Sequence, residues 1–319
     1  MIDAASFRPA PWLPGPHLQT IVASLCAGPG VSVPTEHRVV RVSPGSSIRL
    51  DINRPRGASR GTLLLVHGMG GSGESAYMRR TARHAIGCGF TGVRMNLRNC
   101  GGTERLADSL YNAGQSGDVG RAVEDLGRAG FARPFVVAGF SLGGNLILLY
   151  AGREGDGCAA DAVVAVNPPI ELETCARAIE APSNRVYQAY YVLRLRAQLK
   201  RIAAVRPFDG PVPSVRSIGT VRRFDERFTA PDGGFASARD YYERSSATHV
   251  LASVRRPGLV LSASDDPFVP HAMFPPHHGN PRLRFVHPAR GGHCGYWQSP
   301  TPRFWAAQAI LEFATALGA

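Results

Sequence analysis

Short apolar runs alternate with amphipathic segments along most of the chain. Thr62 to Val66 (TLLLV), Gly89 to Asn96, Phe135 to Ala138 (FVVA), Ala162 to Val166 (AVVAV), Leu259 to Ser262 and Leu283 to Val286 each read as a buried strand. Continuous apolar runs of this length suit parallel strands covered on both faces. Ahead of them, His37 to Val42 and Ser47 to Ile52 read as a polar-edged hairpin. Helical patterns lie between: Ser75 to Ile86, Ser116 to Ala129, Gly144 to Gly152, and Pro302 to Leu317 at the end. This alternation predicts an α/β architecture, a mostly parallel eight-stranded sheet flanked by helices.

One interval breaks the rhythm. Between Asn167 and about Thr248 no sheet strand is legible. A helix from about Asn184 to Val205, then a Pro/Gly-rich stretch, reads as an insertion over the carboxyl ends of the strands. The predicted organisation is a single domain over 1–319. Residues 1–35 form an N-terminal arm, 36–170 and 236–319 the core, and 171–235 a small helical cap.

Composition narrows the partners. The 319 residues, 44% hydrophobic, suffice for one large core. The formal net charge is +12, almost all of it arginine, with Lys200 the lone lysine. The arginines are scattered, without the basic and aromatic interleaving of a nucleic-acid groove, so no nucleic-acid partner is expected. The six cysteines include no C-x-x-C pair and read as free thiols of a reducing cytoplasm. The N-terminal segment carries Asp3 and no apolar run of signal-peptide length. No stretch approaches the roughly 18 apolar residues that span a bilayer. The expectation is a soluble cytoplasmic protein with no integral membrane segment.

The chemistry centres on Gly139-Phe140-Ser141-Leu142-Gly143. A five-residue G-x-S-x-G match recurs by chance, but here a strand precedes it and a helix follows. That setting is what a nucleophile elbow requires, with small neighbours permitting the sharp bend. The following helix aims its N-terminal N–H groups at developing negative charge. The base should follow the final strand, and His293 does so in Arg290-Gly291-Gly292-His293-Cys294-Gly295. The acid should follow the penultimate strand, where Asp265 and Asp266 compete. Asp266, in D-P-F-V-P, is the stronger candidate, and Asp265 would brace the loop. The order Ser141, Asp266, His293 is that of the α/β-hydrolase fold. Two backbone N–H groups should bind the oxyanion, those of Leu142 and of Met69 in His67-Gly68-Met69-Gly70-Gly71. No cofactor is expected. His271, His277 and His278 lack metal-ligand spacing, so no metal is expected either. Tyr187, Tyr191 and Leu195 recur every four residues on the inserted helix, a stripe that serves packing or lines an acyl pocket.

Beyond these residues the chain resembles the YheT-like branch of the α/β-hydrolases. Trp12-Leu13 with His17-Leu18-Gln19-Thr20 is similar to that branch's W-L…H-L-Q-T signature, and His67 to Ser72 to its oxyanion loop. Asn96 to Gly102 resembles its N-x-R-G-C-G-G segment, with Asn99 where glycine is common. Leu110 to Gly114 resembles its L-Y-H-A-G, with Asn112 replacing histidine. Phe224-Asp225, Phe228-Thr229, Gly234-Phe235 and Tyr241-Tyr242 resemble a further block. The matches run from residue 7 to about 300.

The resemblance implies an esterase or lipase acting on carboxylic esters or acylglycerols, with some relatives acting on phospholipids or transferring acyl groups to alcohols. Its triad falls on Ser141, Asp266 and His293, and its substrate would be a small-molecule or lipid ester. Membrane-bound relatives carry an anchor before the W-L signature. Only eleven residues precede Trp12, so none is implied here. Structural roles are expected for Gln19 and Thr20 in pinning the arm, and for Arg98 and Asp225 as an internal ion pair.

The leading expectation is hydrolysis of short- to medium-chain esters through an acyl-enzyme. Acyl transfer to an alcohol uses the same intermediate. A binding module without catalysis is the third reading, and the intact set of nucleophile, acid, base and oxyanion glycines argues against it.

Overall fold

The computed structural model describes residues 2–26, 31, 33–206, 218–274, 279–299 and 304–317. Its strands are β1 (Glu36–Ser43), β2 (Ser46–Asn53), β3 (Thr62–Val66), β4 (Thr91–Asn96), β5 (Phe135–Phe140), β6 (Ala162–Val166), β7 (Gly258–Leu261) and β8 (Leu283–Val286). They form one eight-stranded sheet in the order β1-β2-β4-β3-β5-β6-β7-β8. β1 and β2 are the antiparallel hairpin, and β3 to β8 run parallel. The expected strands are all present, with β5 extended to Phe140.

Alternation along each parallel strand divides the core. Leu64, Val66, Val137, Val163 and Ala165 face one layer, and Leu63, Leu65, Val136, Ala138, Val164 and Val166 the other. Successive side chains of a strand point to opposite faces, so a sheet with two covered faces needs unbroken apolar runs.

The helices are α1 (Pro16–Leu25), α2 (Ala76–Gly87), α3 (Ser116–Arg128), α4 (Leu142–Glu154), α5 (Leu172–Glu180), α6 (Arg185–Ala203), α7 (Val221–Phe224), α8 (Ala230–Asp232), α9 (Ala238–Ser245) and α10 (Trp305–Ala316). A π-helical turn, Asp225–Thr229, joins α7 to α8. α3 buries Val119, Ala122, Val123 and Leu126, the spacing of a one-faced helix. α4 is buried on all sides from Leu142 to Gly152, as befits a helix between the sheet and a second layer. Pro302, the expected start of the last helix, lies outside the described residues, as does most of the Pro/Gly-rich stretch after α6.

Helices α5 to α9 fill the interval between β6 and β7 and wall a cavity that reaches Ser141 at the end of β5. The sequence reading placed α9 with the core, yet its Tyr241 and Tyr242 line the same cavity as α5 and α6. α1 was not foreseen as a helix. Gly15 precedes it and Pro16 opens it, where a missing N–H costs nothing.

Arg98 does not pair with Asp225. Its guanidinium makes two 2.7 Å bonds to the Asp118 carboxylate of α3, tying the loop after β4 to that helix. Asp225 is held instead by the hydroxyls of Thr229 and Tyr242, both at 2.7 Å. Replacing Asp118 with alanine strands a buried guanidinium and should lower the unfolding free energy by about 3–5 kcal/mol. Arg121→Ala, at an exposed pair with Glu124, should cost under about 1 kcal/mol. Urea denaturation of both variants measures the contrast.

Candidate active site

Ser141 occupies the bend between β5 and α4 with φ 53° and ψ −123°. Few non-glycine residues adopt this conformation, which costs on the order of 1–3 kcal/mol. The neighbours that permit it are glycines for steric reasons. A Cβ at Gly143 would strike the Val66 carbonyl, and one at Gly139 the Gly143 carbonyl. The Ser141 N–H donates to the Val166 carbonyl at the end of β6, over 2.8 Å.

His293 and Asp266 meet Ser141 as the sequence order predicts. His293 Nε2 lies 2.8 Å from Ser141 Oγ, and its Nδ1 2.7 Å from Asp266 Oδ2. The carboxylate only accepts, so Nδ1 carries the proton and Nε2 faces the serine as acceptor. Asp266 Oδ1 accepts the N–H groups of Phe268 (3.0 Å) and Val269 (2.9 Å). Asn167 Nδ2 donates to Asp266 Oδ2 at 2.6 Å. Asp265 accepts the Gly292 N–H at 2.8 Å, so of the two aspartates one contacts the imidazole and the other braces the loop that carries it.

The loop after β3 lies against the elbow. A Cβ at Gly68 would come within 3.0 Å of the Ser141 Cβ. The Gly68 N–H donates to the Tyr77 hydroxyl and the Gly70 N–H to the Tyr111 hydroxyl, each at 2.9 Å. Between them the Met69 N–H has no acceptor among the described residues, and neither has that of Leu142 at the start of α4. His67 fixes the loop from inside. Leu97 N–H donates to its Nε2 (3.2 Å) and its Nδ1–H donates to the Gly68 carbonyl (2.8 Å). Burial lowers its pKa to about 4, so the ring stays neutral. From α6, Arg194 donates twice to the Gly70 carbonyl, at 2.9 and 2.6 Å.

Several of these supports were not foreseen. Thr20 accepts the His293 N–H at 2.8 Å, and Gln19 exchanges hydrogen bonds with the backbone of Trp297 at 2.8 and 3.0 Å. These two residues pin the His293 loop as well as the arm. Asn167, Tyr77 and Arg194 carried no recognisable motif, and Tyr111 stood out only as part of the Leu110 to Gly114 block. On α6, Tyr187 and Tyr191 pack on Phe268, with ring centroids 5.2 and 6.0 Å apart, and Tyr191 and Leu195 line the cavity at Ser141. The stripe therefore does both things.

All six cysteines are unpaired. Among the described residues no group of His, Cys, Asp and Glu could hold a metal, and His277 and His278 lie outside them. Among those residues no helix is long and apolar enough to cross a membrane.

Burial opposes a charge on His293. The Asp266 carboxylate, with the Cys294 sulfur beside it, outweighs burial and raises the pKa above 6.5. Asp266→Asn removes the charge and leaves the burial, so the imidazole should then titrate below 6.5. Ring-proton NMR titration of both proteins gives the two values. An unmoved pKa would contradict the carboxylate's role.

The family model described as the alpha/beta hydrolase fold matches residues 61–300. YheT of Escherichia coli is 30% identical over 98% of this chain and 94% of its own length. The monoacylglycerol lipase of Saccharomyces cerevisiae is 28% identical over 79% of this chain, which spans 58% of that relative. A crystal structure of a Pyrococcus furiosus esterase superposes with a TM-score of 0.59 at 16% identity, covering 90% of this chain and 94% of that one. The chain therefore belongs to the α/β-hydrolase family, as a YheT-like enzyme of the esterase and lipase type.

Proposed function

We propose that this enzyme hydrolyses carboxylic esters, with Ser141 as nucleophile, His293 as general base and acid, and Asp266 as the acid of the triad. The hydrogen-bonded line Asp266–His293–Ser141, with both inner distances under 3 Å, carries this reading. A serine hydroxyl is a weak nucleophile until a base within hydrogen-bond reach takes its proton.

Neutral His293 accepts the Ser141 proton as Oγ attacks the ester carbonyl. The negative charge that develops on the carbonyl oxygen meets the N–H groups of Met69 and Leu142. Such donors cost no reorganisation in the transition state, and removing one typically costs 10²–10³ in kcat. The imidazolium is stabilised by Asp266 and returns its proton to the departing alcohol. Water, deprotonated by the same imidazole, then cleaves the acyl-enzyme. Short- to medium-chain esters or acylglycerols suit the apolar walls of the site, in keeping with the lipase named among the relatives.

Ser141→Ala should reduce turnover of p-nitrophenyl esters by about 10⁶, the scale of triad loss in a related chemistry. A fluorophosphonate should label the unaltered protein at Ser141 and not the variant. Turnover surviving the substitution would sink the proposal. Because neutral His293 is the base, kcat/KM should rise with pH along a limb displaced above 6.5. In Asp266→Asn the limb should move to lower pH while kcat falls by about 10⁴.

A further inference from the structure

Two cavities meet at Ser141, and they differ in a way that bears on the ester's orientation. One, of about 80 Å³, is lined by residues of α5, α6, α7 and α9. Its walls include Leu142, Ile179, Leu195 and Phe224, and Asp225 and Tyr242 also line it. The other, of about 310 Å³, lies between α1 and α6. At its rim Leu25, Val186 and Tyr190 are 76%, 67% and 52% exposed. Ser141, Met69 and Tyr191 border both cavities, but His293 borders only the second.

The chemistry makes that asymmetry decisive. In acylation the Ser141 Oγ–carbon bond forms and the ester carbon–oxygen bond breaks. The proton leaves Oγ for His293 Nε2 and passes from there to the alcohol oxygen, which departs with the bonding pair. The alcohol oxygen must therefore sit within reach of Nε2, on the side of the site that His293 borders. With the carbonyl oxygen at Met69 and Leu142, the acyl chain is left the other direction, toward Leu195 and Ile179.

We infer that the smaller cavity takes the acyl chain and the larger cavity takes the alcohol, so that the substrate joins a short acyl group to a bulky apolar alcohol. This rests on the proposed roles of Ser141 and His293. A cavity of about 80 Å³ holds on the order of six methylene-sized groups. The buried Asp225 carboxyl, already engaged by Thr229 and Tyr242, is part of its wall, and a longer hydrocarbon packed against it would only desolvate a polar group further. The cavity of about 310 Å³ is nearly four times larger, and its rim of Ile21, Leu25, Val186 and Tyr190 matches an apolar alcohol.

The test varies the two halves of the ester separately, with acid release followed in a pH-stat. Along decyl esters of acetate, butyrate, hexanoate and decanoate, kcat/KM should peak at or below hexanoate and fall at least tenfold by decanoate. Along butyrates of methanol, hexanol and decanol, whose leaving groups are of similar basicity, it should rise at least tenfold. Leu195→Trp should lower the hexanoate-to-acetate ratio at least tenfold and leave the decyl-to-methyl ratio alone. Ile21→Trp should do the reverse. Should either tryptophan prevent folding, Ile179→Phe and Val186→Trp probe the same two cavities. Fluorophosphonate labelling of Ser141 is run in parallel. If Ser141 is labelled but the ratios are flat, or respond to the opposite variants, the division of cavities is wrong. If Ser141 is not labelled, the proposed function falls and takes the inference with it.

Discussion

The backbone at Ser141 is held at a positive φ between the end of β5 and the first turn of α4. Nothing local favours that conformation, and the surroundings have to impose it. The start of α4 presses so closely on β3 that the Val66 carbonyl leaves no room for a side chain at Gly143. The Ser141 N–H is anchored across to β6 at Val166. The strain is thereby borne by a sheet buried on both faces, which deforms little. In return Oγ stands clear of its own helix, and the Leu142 N–H remains unspent at the same point. The rest of the site is arranged around that fixed oxygen.

Three loops bring their groups to it by different means. The loop after β3 is held through its backbone, by Tyr77, Tyr111, His67 and Arg194. The loop after β7 is folded around the Asp266 carboxylate, which takes the N–H groups of Phe268 and Val269. The loop after β8 leans on α1, through Thr20 and Gln19. Gly292 is required there, because a side chain at its φ of +57° would run into Pro16 and Thr20. The first and third loops are held partly by elements distant in sequence, and Asp266 also takes a bond from Asn167 at the end of β6, so the geometry at Ser141 depends on the whole fold.

The sheet was legible because β3, β5, β6 and β7 are largely unbroken apolar runs, and the elbow because glycine spacing records a steric demand. Ser141, Asp266 and His293 were legible from their order relative to the strands. The supports were not. Thr20 and Asn167 act through hydrogen bonds to partners more than ninety residues away, Thr20 to His293 and Asn167 to Asp266 and Gly292, and a single polar residue carries no periodicity to mark it. Arg98 and Asp225 were paired by charge alone. Asp118 lies one turn into α3 on the face toward Arg98, a relation that only the packing of that helix reveals. The helices α5 and α9 do bury one face, Leu172, Cys175, Ala176 and Ile179 on the first and Ala238, Tyr241, Tyr242 and Ser245 on the second, but each spans little more than two turns and α7 about one, too short for the pattern to stand out.

The contact between Thr20 and His293 joins positions 273 residues apart. Synthesis of a chain proceeds at about 5–20 residues per second, N-terminus first. For many seconds after the elbow has emerged, the nascent chain holds Ser141 without its imidazole. α1, made earlier, receives the His293 loop only once that loop has left the ribosome. The hydrogen-bonded line from Asp266 through His293 to Ser141 therefore forms only after α1 and the His293 loop have met.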